Sequence, residues 1–205
     1  MFFFIACSVD NTGIQAIGDS IFDWNEKQSI PHVVGEELNM PVVNNAIGGS
    51  KVIGEEGIPL QYEDGAWQWV LIDGGGNDLN EGCGCTDDEV CNDIIDVIVA
   101  EDGSEGLIYD IVERATGDGH NVVLLGYYEV SVDSEFGNCN DELYILRERY
   151  NKLVSLFGTA IFVDPTAVVF PDMTEAYDAD LVHPSKEGGR IVGELIVDSI
   201  ENSGF

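Results

Sequence analysis

Five short apolar runs stand out along the chain, several of them closed by glycine, asparagine or aspartate. Gly13-Ile-Gln-Ala-Ile-Gly18 runs into Asp19-Ser20. Pro41-Val-Val-Asn-Asn45 runs into Ala46-Ile-Gly-Gly-Ser50, and Trp67-Gln-Trp-Val-Leu-Ile-Asp73 into Gly74-Gly-Gly-Asn-Asp78. Asn121-Val-Val-Leu-Leu125 and Ala160-Ile-Phe-Val163 complete the set. Runs of this length bounded by turn residues predict strands. They are continuous rather than alternating, as expected of strands buried on both faces of a parallel sheet.

Helical patterns fill the intervals. Ser29 is placed to cap a helix with Pro31 in its first turn and Val33, Val34 and Leu38 following. Ile94, Ile95, Val97 and Ile98 form a second pattern, interrupted by Gly103–Gly106, and Leu107, Ile108, Ile111 and Val112 form a third. Asp141–Phe157 carries Leu143, Leu146, Tyr150, Leu153 and Leu156 roughly on one side, and Glu187–Ser199 closes the chain. Residues 127–140 read as a long loop, a length that is often functional or pinned. The alternation predicts an α/β fold: a three-layer α/β/α arrangement around a five-stranded parallel sheet. In such sheets the site lies at the C-terminal strand ends. Here three of those ends carry Gly-Asp-Ser, Ile-Gly-Gly-Ser and Gly-Gly-Asn-Asp.

Size and composition fit one domain over residues 13–205, behind a lead-in over residues 1–12. The chain has 205 residues, 44% of them hydrophobic, enough for one full core. Charge changes the picture further. There are 39 Asp+Glu against 8 Lys+Arg, a formal net charge of −31. Such a surface repels nucleic acid and anionic membranes. It reads as a solvated acidic surface suited to salt, with calcium binding as the rival; no EF-hand spacing is present. No apolar run is long enough to span a membrane.

Cys83, Cys85, Cys91 and Cys139 cluster, while Cys7 stands apart. Four clustered cysteines point to two disulfides with three connectivities open. Zinc is a rival, and the C-x-C spacing followed by Cys91 is not usual for it. Free buried thiols are the third reading. The apolar start, Met1-Phe-Phe-Phe-Ile-Ala-Cys7, resembles the end of a lipoprotein signal with a lipid anchor at Cys7, or else is an ordinary apolar terminus. Export (periplasmic, secreted or as an outer-membrane lipoprotein) is favoured, with a cytoplasmic location left open.

Nucleophilic hydrolysis needs a hydroxyl, a base, a group that orients the base, and donors for an oxyanion. Ser20 sits at a strand-to-helix turn, where a serine is often only a cap. In Asp180-Leu-Val-His183 the carboxylate can reach Nδ1 of the imidazole and leave Nε2 for a hydroxyl. Asn77 can donate its amide from a glycine-rich strand end, where a plain turn is the alternative. His32 and His120 look like bystanders.

Taken in order, Gly18-Asp19-Ser20, Gly49, Gly75-Gly76-Asn77-Asp78 and Asp180-Leu-Val-His183 resemble the blocks of the SGNH (GDSL-type) hydrolases. The resemblance spans residues 13 to about 200. It implies a flavodoxin-like fold and esterase, lipase, thioesterase or carbohydrate-deacetylase activity without a metal or other cofactor. By motif, Ser20 would be the nucleophile, His183 the base and Asp180 its orienter. The oxyanion hole would comprise the Ser20 N–H, the Gly49 N–H and the Asn77 side chain, with Gly48 an alternative to Gly49. Ile-Phe-Asp-Trp after Ser20 departs from many relatives; Phe22 and Trp24 either bind substrate or pack in the core. The Cys83-Gly-Cys85 stretch resembles an insertion seen in a subset of bacterial relatives, one that would stiffen the rim of the site if oxidised.

The function expected is hydrolysis of a small-molecule or glycan ester. A carbohydrate O-deacetylase is one alternative, with Tyr62, Trp67, Tyr127 and Tyr128 stacking on sugar rings or else lying in the core. A non-catalytic surface or binding protein is the other.

Overall fold

The computed structural model describes residues 12–205. The apolar lead-in and Cys7, with the lipid anchor expected there, lie outside the described residues. In chain order the strands are β1 (Gly13–Ile17), β2 (Val42–Asn44), β3 (Trp67–Ile72), β4 (Asn121–Leu125) and β5 (Ala160–Val163). The helices are α1 (Ser20–Asp23), α2 (Ile30–Glu37), α3 (Gly76–Gly82), α4 (Asp88–Ile98), α5 (Leu107–Gly117), α6 (Asn140–Val154) and α7 (Lys186–Ser203).

All strand pairs are parallel, in the order β2-β1-β3-β4-β5. Every residue of β1 is buried, as are the last four of both β3 and β4. That is the both-faces burial expected of continuous apolar runs in a parallel sheet. Helices α2 and α7 pack on each other, while α4 contacts α3, α5 and α6. The result is the three-layer α/β/α fold, with the core formed by strand side chains and the apolar stripes of the helices.

Two helices escape sequence pattern. Helix α1 spans four residues and α3 seven, both rich in turn formers. Ser29 stands at the N-cap of α2 but makes no side-chain capping bond; its hydroxyl meets His32 Nδ1 at 2.8 Å instead. The cysteines are paired as Cys83–Cys91 and Cys85–Cys139. The first bond joins the end of α3 to α4. The second joins the same turn to the segment before α6. The sulfurs of Cys83, Cys85 and Cys91 lie within 4.8 Å of one another, but each is bonded to another sulfur and so is not a thiolate ligand.

Candidate active site

Ser20 opens α1, directly after β1 leaves the sheet. Asp19 is the N-cap, accepting the Ile21 N–H at 2.9 Å. The capping role open to the serine is thus taken by the aspartate before it. The Ser20 hydroxyl is left to a distant partner, His183 Nε2, at 2.8 Å. On the other side of the ring, Nδ1 lies 2.6 Å from Asp180 Oδ2. An Nδ1–H donated to the carboxylate leaves the Nε2 lone pair to accept the serine proton.

The Asp-x-x-His turn builds this geometry locally. Asp180 Oδ1 accepts the N–H groups of Val182 and His183, both at 2.9 Å, and Leu181 between them takes φ +61°. Partial burial pushes the Asp180 carboxyl up. The His183 ring and those two N–H groups outweigh it and hold the group below the ordinary carboxylate range.

The strand-end donors differ in how committed they are. The Gly48 N–H is engaged by Asp23 Oδ2 at 3.0 Å. The Gly49 N–H has no acceptor among the described residues, and Gly49 holds φ +78°, a conformation that favours glycine. Ser20, at the first position of α1, has no acceptor within the helix for its own N–H. The Asn77 amide nitrogen donates to Ser50 O at 3.0 Å and, at a longer 3.3 Å, to Asp19 Oδ2. Asp78 secures the facing loop: its two carboxylate oxygens accept the N–H groups of Val52 and Ile53, each at 2.8 Å.

Behind the serine lies a buried acidic cluster that sequence reasoning did not single out. Asp73 Oδ1 accepts the Asp19 N–H at 2.7 Å, and Tyr127 donates its hydroxyl to Asp19 Oδ2 at 2.6 Å. A Cβ on Gly18 would fall 1.7 Å from Asp73 Oδ1, so only glycine fits before Asp19. Burial raises the Asp19 carboxyl; the Ile21 N–H and the Tyr127 hydroxyl offset part of that. Burial and then the Asp19 charge push Asp73 well above the usual range. The only sequence signal was an aspartate closing an apolar strand.

Two concavities meet at Ser20, Asn77, Phe136 and Val182. One is small, chiefly apolar and bounded by Ile21, Tyr128, Val130, Phe136, Leu143 and Val182. The other is a larger, open groove along Trp24, Gly48, Gly49, Glu135, Asp180 and His183. The expected aromatic pair divides. Phe22 is fully buried in the core and lines neither space. Trp24 lines the groove. Tyr62, Tyr127 and Tyr128 are buried, and their hydroxyls bond to Asp118, Asp19 and the Val182 carbonyl. Trp67 packs on Gly13 and Gly65. None of these four offers an open ring face to the groove. His32 and His120 take no part in the hydrogen bonds around Ser20.

The GDSL-like lipase/acylhydrolase family model matches residues 16–191. No curated protein matches the chain by sequence. Among solved structures, a lipase from a goat rumen metagenome is 20% identical, with 95% of this chain and 98% of that one covered and a TM-score of 0.64. A member of the lipolytic protein G-D-S-L family from Veillonella parvula is 16% identical, over 93% and 98%, at a TM-score of 0.66. A carbohydrate acetylesterase family member from Sinorhizobium meliloti is 14% identical, over 94% and 98%, also at 0.66. At such identities the likeness is one of fold.

Proposed function

Since the chain belongs to the GDSL-like lipase/acylhydrolase family of hydrolases, we propose that it cleaves carboxylic esters by acyl transfer through Ser20. One observation carries this reading: the unbroken hydrogen-bonded line from Asp180 through His183 to Ser20. In the proposed cycle His183 Nε2 takes the Ser20 proton as Oγ attacks the ester carbonyl. The oxyanion is met by the N–H groups of Ser20 and Gly49 and by the Asn77 amide. For this the amide gives up its longer bond to Asp19 while Ser50 keeps hold of it. His183 then returns the proton to the leaving alcohol, forming an acyl-enzyme. A water, deprotonated by His183, releases the acid and restores Ser20.

The two spaces divide the ester between them. The smaller apolar cavity suits a short acyl chain, and the open groove suits the alcohol. Burying the acyl methylenes would supply on the order of 0.8 kcal/mol each until the cavity is full. Glu135 and Asp180 give the alcohol side an acidic rim. That favours uncharged alcohols, glycans among them, over anionic ones. The two disulfides fit an oxidising compartment, which supports an exported protein.

A series of p-nitrophenyl esters from acetate to octanoate tests the reading. The expected kcat/KM is highest for the short acids and falls beyond them, and Ser20→Ala retains only residual rate. Full activity in Ser20→Ala would overturn the assignment of the nucleophile, and a maximum at octanoate would overturn that of the cavity. Acetylated xylan, assayed beside short simple esters, reports whether the alcohol is a glycan.

A further inference from the structure

Trp24 follows α1 as its C-cap, four residues after Ser20. Its indole lies flat on the His183 imidazole, with ring centroids 3.9 Å apart and planes inclined by 7°. The indole Nε1–H donates to Asp178 Oδ2 at 2.9 Å. Asp178 belongs to the turn that carries the histidine, since its N–H donates to the His183 carbonyl at 2.8 Å and its own carbonyl accepts the Leu181 N–H at 3.0 Å. The element that carries the serine is thereby fastened to the turn that carries the imidazole.

From this stack we infer that Trp24, oriented by Asp178, is a positioning residue for His183, holding the ring where Nε2 meets Ser20 Oγ and stabilising the imidazolium formed on proton transfer. The inference rests on the proposed hydrolase reading, because only there does His183 gain a proton in the transition state. Two physical effects support it. Asp180 grips one edge of the ring and Ser20 the other, but neither prevents the ring from tilting; a parallel indole face does. The face of an indole also carries the negative part of its quadrupole, which attracts a cation placed over it. Hydrogen bonding from Nε1 to an anionic carboxylate leaves the indole more electron-rich. The Trp24 bond, first among its influences, holds the Asp178 carboxyl below its ordinary range, so the anion is present at neutral pH. An attraction that grows as the ring becomes charged favours the transition state over the ground state. Its loss belongs in kcat more than in KM.

The test compares Trp24→Leu, Trp24→Phe and Asp178→Asn in the full chain on p-nitrophenyl acetate, with fluorophosphonate labelling rates measured beside the steady-state constants. Trp24→Leu is expected to lose on the order of 10-fold in kcat and in labelling rate, with KM changed by less than about 2-fold. Trp24→Phe, which restores a ring face without the N–H, is expected to recover most of that loss. Asp178→Asn keeps the indole and removes the anion, and is expected to lose about 3-fold in kcat. A rise in KM with kcat unchanged, or equal rates in Phe and Leu variants, would overturn the inference and leave Trp24 as a groove wall. Should Trp24→Leu fail to fold, Trp24→Phe and the surface change Asp178→Asn decide the matter: an unchanged kcat in Asp178→Asn contradicts it. Wild type that neither turns over nor labels is a different result, since it removes the hydrolase reading itself.

Discussion

At Asn77 the side-chain amide already makes two bonds, one to Ser50 O and a longer one to Asp19 Oδ2. Its placement therefore does not depend on substrate. If Asn77 is the oxyanion donor proposed above, its removal should slow chemistry without weakening ester binding. Asn77→Ala is expected to lower kcat by on the order of 10²–10³-fold with KM nearly unchanged; a selective rise in KM would assign the amide to ground-state binding. Asp73 behaves differently. It is 1% exposed, and among the described residues its Oδ2 has no partner. Its carboxyl is raised by burial and by the Asp19 charge, so the folded protein holds this proton more tightly than the unfolded chain does. The stabilising contribution is then complete below the ordinary carboxylate range and is lost as pH rises through the raised folded value. Asp73→Asn cannot ionise. Its Tm relative to wild type is expected to increase as pH rises above the ordinary carboxylate range, as read by thermal melts from acid to neutral pH. A constant difference would show that Asp73 ionises alike in both states.

Among the elements, what could be read from sequence was what is local. The five strands were visible because strands buried on both faces need continuous apolar runs, and their boundaries shift by only a residue or two. The Asp180–His183 pair was visible because three residues in one turn suffice to join carboxylate and ring. Helices α1 and α3 were not, since neither is long enough to show a helical period. The Trp24–His183 stack and the Asp73–Asp19 contact were hidden because their partners are far apart in sequence. Cysteine pairing was hidden for a related reason: spacing alone left three connectivities. Cys85–Cys139 spans 54 residues and Cys83–Cys91 spans 8. In the chain-entropy account the longer loop contributes about 4 kcal/mol and the shorter about 2.5 kcal/mol. The longer bond also anchors the segment carrying Phe136, which borders both concavities beside Ser20. In denaturant titrations the Cys85→Ser/Cys139→Ser pair is expected to lose more stability than Cys83→Ser/Cys91→Ser. The reverse order would mean that strain or residual unfolded structure outweighs loop length.

For the whole molecule, charge dominates. Cations at Lys51, Arg114, Arg147, Arg149 and Arg190 are engaged by carboxylates, yet 8 Lys+Arg cannot neutralise 39 Asp+Glu. The folded state gathers that excess into one compact surface, where the unfolded chain would spread it. Screening shortens from about 10 Å at 0.1 M salt to about 3 Å at 1 M, so added NaCl should relieve the folded state more. The denaturation midpoint is expected to rise between dilute buffer and molar NaCl, and a fall would show that attraction within the ion pairs outweighs the net repulsion.

If Ser20 is the activated nucleophile proposed, covalent capture reports it without reference to any particular substrate. The native protein should be treated with a fluorophosphonate probe and the modified peptide located by mass spectrometry. Stoichiometric labelling on Ser20 is expected, abolished in Ser20→Ala and strongly slowed in His183→Ala. Labelling at another residue, or none in folded wild type, would contradict it.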